Sequence, residues 1–273
     1  MTTHHLTLCE LQDTGLPHLE SWSPFCLKVH RALKAAGLHY TRQYADRPDA
    51  WSHYNVTGQV PVLLVDGEPV ADSTRILARL ETLGGISLLP ADPRARAEAL
   101  LWEELADTSL NGFLVAARWA DPRNWPATRD AYFPTMPRAV RAVIPALLRR
   151  RVVRSLEARD VWRRGADDCW SRFESLLDAL ESRAPAAGFW SGERIGVADV
   201  ALFGQLQGLR SPMTTWQRSQ VEARPKLVAW LERVDVQTRA PATSGTLVGP
   251  WMPDAVKSVT SPMASSVRSS ASA

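Results

Sequence analysis

The sequence is poor in cysteine and lacks long hydrophobic runs, and each shortage excludes a class of protein. Its three cysteines, Cys9, Cys26 and Cys169, are odd in number and far apart among 273 residues. This argues against a disulfide framework and favours a reducing compartment. No apolar run reaches the roughly 18 residues that a membrane helix needs. The first residues, MTTHHLTLCE, lack the basic head and apolar stretch of a secretory signal. We therefore expect a cytoplasmic protein.

The sequence also lacks a large excess of positive or negative charge. The formal net charge of +3 is too small to predict a nucleic-acid-binding surface. Arginines are concentrated between Arg118 and Arg164, with RRRVVR at 149–154, and the plain interpretation is a solvated helix face. A phosphate- or membrane-binding surface is the alternative, and we do not expect it.

The first third of the chain alternates between strand-like and helix-like patterns of hydrophobicity. Residues 5–11 alternate as a strand. Residues 24–36 carry an apolar stripe that predicts a helix capped by Ser23. After a second strand come two short strands joined by Asp66-Gly67, a strong hairpin signal, and then a further helix. The predicted order is βαβ followed by ββα.

From Pro93 onward strand signals fade and amphipathic helices dominate. Pro134, Pro137 and Pro145 are expected to break the helical pattern of the middle section. The serine-rich end has no apolar periodicity and predicts disorder. The sequence therefore predicts an α/β N-terminal domain, an all-α C-terminal domain and a disordered tail, at residues 1–85, 93–250 and 251–273.

Four motifs in this order carry a family resemblance. They are SPFCLKVHRAL at the first helix, QVPVLLVDG at the hairpin, VADSTRILARLE at the helix after it, and GERIGVADVALF in the helical half. Together they resemble the glutathione S-transferase family over roughly residues 5–240. The resemblance implies a thioredoxin-like domain that binds glutathione, a helical-bundle domain that takes a hydrophobic small-molecule electrophile, and a homodimer.

The resemblance makes Ser23 and Cys26 the catalytic candidates. Relatives with the SPF motif use this serine to hydrogen-bond the glutathione sulfur, and the resemblance carries that role to Ser23. A hydroxyl at a helix N-terminus suits the task, because the helix dipole favours the thiolate, which is the nucleophile. The plain alternative is an N-cap. SPFC also resembles the CPFC of glutaredoxins, in which the first cysteine exchanges thiols. That cysteine is absent here, so Cys26 is the second candidate, through a mixed disulfide.

The resemblance implies that glutathione is bound by Gln59, Val60, Pro61, Asp72 and Ser73. In the family the bond before Pro61 is cis, and the Val60 backbone pairs with the cysteinyl part of glutathione. At Asp72-Ser73 the start of a helix suits the γ-glutamyl carboxylate, and the acid suits its ammonium group. The family usually has Glu or Gln before the serine, so Asp72 is a mild departure. Gln59 stands where relatives place a polar side chain for the glycyl carboxylate.

Further residues are candidates for the glutathione site and for the electrophile pocket because of their positions in the sequence. Lys28, Arg31, His53 and Asn55 could serve the glycyl carboxylate. Aromatic side chains of the helical half are candidates to line the electrophile pocket, although aromatics at helical spacing are more often core. They are Trp102, Phe113, Trp119, Trp125, Tyr132, Phe133 and Trp216.

The sequence thus predicts an enzyme, a serine-type glutathione S-transferase that activates the glutathione thiolate for attack on a hydrophobic electrophile. Glutathione is the expected co-substrate. No metal is expected, because Cys26 and His30 are too few ligands for a site. Two alternatives stay open. One is a non-catalytic metaxin-like scaffold, which the first helix and VADSTRILARLE also resemble. The other is a glutathione thiol reductase that depends on Cys26.

Overall fold

The structure, a computed structural model, has a sheet-containing part followed by a helical part. It describes residues 4–45, 48–134, 136–159, 161–239 and 246–247. The strands are β1 (Leu6–Leu11), β2 (Asp13–Leu16), β3 (Leu19–Ser21), β4 (Thr41–Ala45), β5 (Val62–Val65), β6 (Glu68–Ala71) and β7 (Thr246–Leu247). The predicted tail at 251–273 lies outside the described residues.

Five of these strands form one mixed sheet in the order β6-β5-β1-β4-β7. β1 pairs in parallel with β4, and α1 (Pro24–Ala35) makes the crossover between them. β5 and β6 are antiparallel neighbours joined at Asp66-Gly67, and α2 (Ser73–Leu80) follows them. This order is the predicted βαβ–ββα arrangement.

Two strand assignments differ from the sequence prediction. No strand is predicted between residue 11 and Ser23, yet β2 and β3 pair there as a small antiparallel hairpin. Only helices were expected over 93–250, yet β7 pairs in parallel with β4 at the sheet edge. The partner of β7 is supplied by tertiary structure, which local hydrophobicity does not encode. β2 and β3 pair locally, but their short sequences, DTGL and LES, show no strand-like alternation of hydrophobicity.

The described chain after residue 92 is mainly helical. Its helices are α3 (Pro93–Leu105), α4 (Asn111–Val115), α5 (Trp125–Tyr132), α6 (Arg138–Arg159), α7 (Ala166–Arg183), α8 (Val197–Leu209), α9 (Thr215–Glu222) and α10 (Pro225–Thr238). Two π-helical segments, Ala106–Leu110 and Ala116–Ala120, flank α4 and make a continuous helical run with α3.

The predicted break at Pro145 is wrong, because α6 continues through this proline. Proline in a helix interior costs about 3 kcal/mol, so tertiary contacts must compensate. One such contact is the guanidinium of Arg149, whose Nε donates to the backbone oxygen of Trp119 at 2.8 Å. Packing therefore overrides the local preference of the proline.

Helix α8 joins the two parts of the molecule. It is buried along almost its whole length, and its N-terminus is held by the Asp199 carboxylate, which accepts from the backbone nitrogen of Gly196 at 2.9 Å. At Gly204 an added Cβ would lie 2.6 Å from the backbone oxygen of Pro24. Glycine thus lets α8 approach α1 closely, and this approach fixes the α1 N-terminus against the helical part.

These features confirm the predicted fold class, a thioredoxin-like α/β half with an all-α helical half. Within the described ranges, no helix is both long and apolar enough to span a lipid bilayer.

Candidate functional site

Ser23 lies where the sequence predicts it, at the N-cap of α1. Its Oγ accepts a hydrogen bond from the backbone nitrogen of Cys26 at 3.3 Å, and Pro24 occupies the first helical position. The residue is 8% exposed and lines an apolar cavity. The N-cap that the sequence allows is therefore present, and the same residue lines a cavity.

Cys26 differs from Ser23 in its access to solvent. Its side chain is 0% exposed, and it is not among the residues that line the described cavities. Burial is the main cause that raises the pKa of its thiol, and the charge of Glu10 raises it further. The sequence places Cys26 one turn along the helix from Ser23 but does not show that this turn faces the core.

A polar cavity of about 610 Å³ lies beside the N-terminus of α2. Every predicted glutathione-binding residue contributes to its wall: Gln59, Val60, Pro61, Asp72 and Ser73. The Val60-Pro61 bond is cis, as the resemblance implies. The structure therefore brings together two segments that are separated in the sequence by a complete hairpin.

Asp72 has an unusual backbone conformation. Its φ is +81°, a region that few residues other than glycine adopt, and its Oδ1 accepts from the backbone nitrogen of Arg75 at 3.1 Å. Asp72 is exposed at the cavity while Ser73 beside it is 5% exposed. Strained backbone of this kind is typical of binding sites, and here it orients the start of α2 toward the cavity.

The polar cavity also has an acidic group that no pattern in the sequence indicates. Glu104 and Asp107 line the polar cavity, and Asp107 lies in the first π-helical segment. Its Oδ2 accepts from Lys28 Nζ at 2.6 Å, while its Oδ1 is buried without a hydrogen-bond partner among the described residues. Burial raises the pKa of this carboxyl and outweighs the opposing effect of Lys28.

Lys28 and Arg31 do not have the role suggested from the sequence. Lys28 is 0% exposed, and its ammonium lies 2.6 Å from both Glu103 and Asp107. Arg31 is also fully buried and pairs with Glu20 and Asp235. Both cations are neutralised within the protein, so they are not available to a glycyl carboxylate. The sequence shows the charge of a helix residue but not its burial.

Asn55 and His53 are the other two candidates for binding the glycyl carboxylate of glutathione, and only one of them lines the polar cavity. Asn55 lines the polar cavity, and its Nδ2 donates to the backbone oxygen of Gln59 at 2.9 Å. His53 is exposed, packs against the Tyr54 ring with centroids 3.9 Å apart, and is not part of the cavity wall.

The apolar cavity, of about 460 Å³, adjoins the polar one. Both cavities are lined by Phe25, Gln59 and Val60. Three of the seven predicted aromatics line the apolar cavity: Trp119, Tyr132 and Phe133. The other four lie elsewhere, in aromatic contacts: Trp102 with Trp190, Phe113 with Phe173, Trp125 with Trp119 and Trp216 with Trp170.

Arg118, which no motif in the sequence marks as a site residue, lies in the wall of the apolar cavity. It belongs to the second π-helical segment and is 0% exposed. Its Nη1 donates to the backbone oxygen of Trp22 at 2.5 Å and to the hydroxyl of Tyr132 at 2.8 Å. It thus touches the residue directly before Ser23. In the sequence, the only signal for Arg118 is the high density of arginine in this stretch.

His30, which the sequence places one helical turn from Cys26 as a second possible metal ligand, forms hydrogen bonds with other residues. Its Nε2 lies 3.0 Å from the Glu10 carboxylate and its Nδ1 lies 2.6 Å from the hydroxyl of Tyr40. Within the described part of the chain, no three metal-ligating side chains converge on one point.

Two family models match the chain. The glutathione S-transferase N-terminal domain model matches residues 24–124, and the glutathione S-transferase C-terminal domain model matches residues 146–233. The matched ranges include α1 and α8, the helices that join the two parts of the fold.

Several proteins are similar in sequence. Glutathione transferase GST 23 of Zea mays is 35% identical over 113 residues, which are 38% of this chain and 50% of that protein. Glutathione S-transferase U11 of Arabidopsis thaliana is 26% identical over 240 residues, 81% of this chain and 83% of that protein. The chain thus spans only half of the length of the Zea mays relative.

Solved structures also resemble this one. The beta-etherase LigF from Sphingobium sp. strain SYK-6 superposes with a TM-score of 0.60 at 24% identity, covering 84% of this chain and 94% of that one. Rice GST1, solved in complex with glutathione, superposes with a TM-score of 0.54 at 22% identity, covering 89% and 93%. At these identities the likeness concerns the fold.

Proposed function

The chain belongs to the glutathione S-transferase family, and from this premise we propose that it activates the glutathione thiolate for attack on a hydrophobic electrophile, to which the whole glutathione molecule becomes bonded through its sulfur. One observation carries the proposal. The polar cavity at the start of α2 and the apolar cavity at the start of α1 share Phe25, Gln59 and Val60. A tripeptide in the polar cavity would therefore reach the apolar cavity with its thiol.

The polar cavity offers matching groups to each end of glutathione. Ser73 and the first N–H groups of α2 suit the γ-glutamyl carboxylate. Asp72 and Asp107, which both line the cavity, suit the ammonium group beside it. Gln59 and Asn55 are the polar groups at the glycyl end, in place of the buried cations. Rice GST1, which was solved in complex with glutathione, supports glutathione as the ligand.

Ser23 is the proposed catalytic group. Its Oγ accepts from the Cys26 nitrogen, and a hydroxyl that accepts one hydrogen bond can still donate its proton to a sulfur in the apolar cavity. A hydrogen bond from the hydroxyl and the positive end of the α1 dipole both favour the thiolate over the thiol. Because the cavity wall is largely apolar, these interactions are stronger there than in water.

No observation favours the two alternatives to the same degree. A thiol reductase would need Cys26 to present its thiolate, but that thiol is buried and its pKa is raised. A scaffold would not need a polar cavity that adjoins an apolar one. Cytoplasmic location and a homodimer stay predictions from the sequence.

Retention on immobilised glutathione tests the proposal. We expect the protein to be retained and eluted by free glutathione, and the double variant Asp72→Ala, Ser73→Ala to flow through. Asp92→Ala is the matched control: Asp92 caps α3 through the Ala95 nitrogen at 2.8 Å and lies outside the polar cavity. Failure of the folded wild type to bind glutathione would refute the proposal. If Asp92→Ala lost retention to the same extent, the loss would report the removal of a helix cap and not the loss of glutathione recognition.

A further inference from the structure

Arg118 is a buried cation whose hydrogen-bond partners are all neutral. Besides the Trp22 oxygen and the Tyr132 hydroxyl, its Nη2 donates to the backbone oxygen of Gly208 at 2.9 Å. Its Nε is buried without a partner. Among the described residues, no carboxylate lies within salt-bridge distance of it. Arg31, the comparable arginine of α1, has two carboxylates.

An unpaired buried charge is costly, since the guanidinium stays protonated at every relevant pH. The fold nevertheless accommodates the unpaired charge of Arg118. Arg118 lies in the π-helical segment Ala116–Ala120, and π-helical turns are frequent at functional sites. At Gly208 an added Cβ would lie 3.2 Å from Arg118 Nη2, so glycine gives the guanidinium its room. The positive charge is thus held at the wall of the apolar cavity.

The Tyr132 hydroxyl connects this charge to the cavity. Tyr132 is half-buried and lines the cavity, whereas Arg118 itself has no exposed surface. The hydroxyl accepts from Arg118 Nη1 at 2.8 Å and has only a weak acceptor of its own, the Trp22 oxygen at 3.5 Å. A hydroxyl that accepts from a cation is a stronger donor. Its proton is therefore available to a bound molecule.

We propose that Tyr132, positioned and polarised by Arg118, is an oxyanion-binding group that selects electrophiles whose oxygen becomes negative as sulfur attacks. The class includes α,β-unsaturated ketones and excludes alkyl halides, whose departing halide gains little from a hydrogen bond. The attacking thiolate rests on the proposed function, whereas the oxyanion subsite can be tested without glutathione. Tyr132 is the catalytic residue of the pair and Arg118 is a positioning residue.

For an unsaturated ketone the step balances as follows. The thiolate sulfur forms a bond to the β-carbon, and the electron pair of the C=C bond moves through the conjugated system to the carbonyl oxygen. Tyr132 donates its hydrogen bond to that oxygen, and the resulting enolate takes a proton from water at its α-carbon. The hydroxyl thus stabilises charge that exists only after the attack begins.

Binding of para-nitrophenol without glutathione tests the subsite by itself, because the ionised form is visible in its absorption. In the wild type we expect the ionisation of the bound phenol to shift by about one pH unit to lower pH. Tyr132→Phe should abolish most of that shift. Arg118→Met should abolish it too, whereas Arg118→Lys, which keeps a charge, should retain part of it. Tyr44→Phe is the control, since Tyr44 lies in β4 and lines neither of the two cavities.

Two substrates then test whether Tyr132 selects between the two classes of electrophile. With glutathione, Tyr132→Phe should lower kcat/KM for benzylideneacetone about a hundredfold and leave benzyl chloride within about twofold. The proposal is overturned by an equal loss on both substrates, by no loss on either, or by para-nitrophenol that fails to bind or ionises as it does in solution. A wild type that shifts the phenol but conjugates neither substrate would refute the proposed transferase function and leave the oxyanion subsite supported.

Discussion

The hydroxyl oxygen of Ser23 lies 3.3 Å from the backbone nitrogen of Cys26 and accepts its hydrogen bond. A serine hydroxyl accepts through its lone pairs and donates through its O–H. The cap therefore uses one capacity of Ser23, and a thiolate in the adjoining cavity can use the other. Capping and catalysis do not compete at this residue, and the two contributions can be separated by substitution.

We predict that Ser23→Ala lowers conjugation about ten- to a hundredfold, because the hydroxyl supplies about 1.4–2.7 kcal/mol to the thiolate. The pH profile of kcat/KM should move to higher pH, since the bound thiol ionises less readily. Loss of the cap should separately cost about 1 kcal/mol of unfolding free energy. Asp92→Ala, which removes a cap outside both cavities, should lose stability without losing activity. Unchanged kinetics in the alanine variant would remove Ser23 from the mechanism.

Local motifs made part of this site predictable from the sequence. Pro61 follows Val60 in a buried strand pattern, and Asp72-Ser73 begins a helix, so a few adjacent residues define each contribution. All four also line the polar cavity. The βαβ–ββα order is readable from the local patterns, whereas the meeting of these four residues in one site is what the family resemblance implies.

The remaining residues of the site depend on tertiary structure. Asp107 and Arg118 reach their cavities from two π-helical segments, and no periodicity in the sequence distinguishes such a segment from ordinary helix. Lys28 was misassigned for the complementary reason. A helix pattern marks it as a cation near the site but does not reveal the two carboxylates, 75 and 79 residues away in sequence, that neutralise it.

The buried thiols give a second prediction. Cys9, Cys26 and Cys169 are free and fully buried, and burial raises the pKa of Cys9 and Cys169 to about 12. We expect the native protein to react slowly with a thiol-specific chromophoric reagent and to release one equivalent for each cysteine after unfolding. Cys26→Ala should keep conjugation and glutathione retention near the wild-type values. A rapid native reaction that disappears in this variant would restore the thiol-reductase alternative.

Asp107 gives a prediction about pH. Its folded pKa is raised above 3.8, mainly by burial, so the folded state binds its proton more tightly than the unfolded state. The carboxyl therefore causes no loss of stability below about pH 3.8, and a growing loss as pH rises from there through its folded pKa. We expect the stability of the wild type, relative to Asp107→Asn, to fall across this window in urea unfolding. A relative stability that rises with pH would show that Lys28 dominates instead.

Two glycines of α8 offer a matched pair for the contact between the helices. At Gly204 a Cβ would meet the backbone oxygen of Pro24 at 2.6 Å, whereas at Gly208 it would meet a terminal methyl group of Leu114 at 2.6 Å. Backbone cannot move aside as a side chain can. Gly204→Ala should therefore cost about 1–3 kcal/mol of unfolding free energy, and α1 with Ser23 should shift. In Gly208→Ala the higher helix propensity of alanine, about 1 kcal/mol, should offset most of the crowding. Equal losses in the two variants, measured by urea unfolding, would contradict the close approach of α8 to α1 at Gly204.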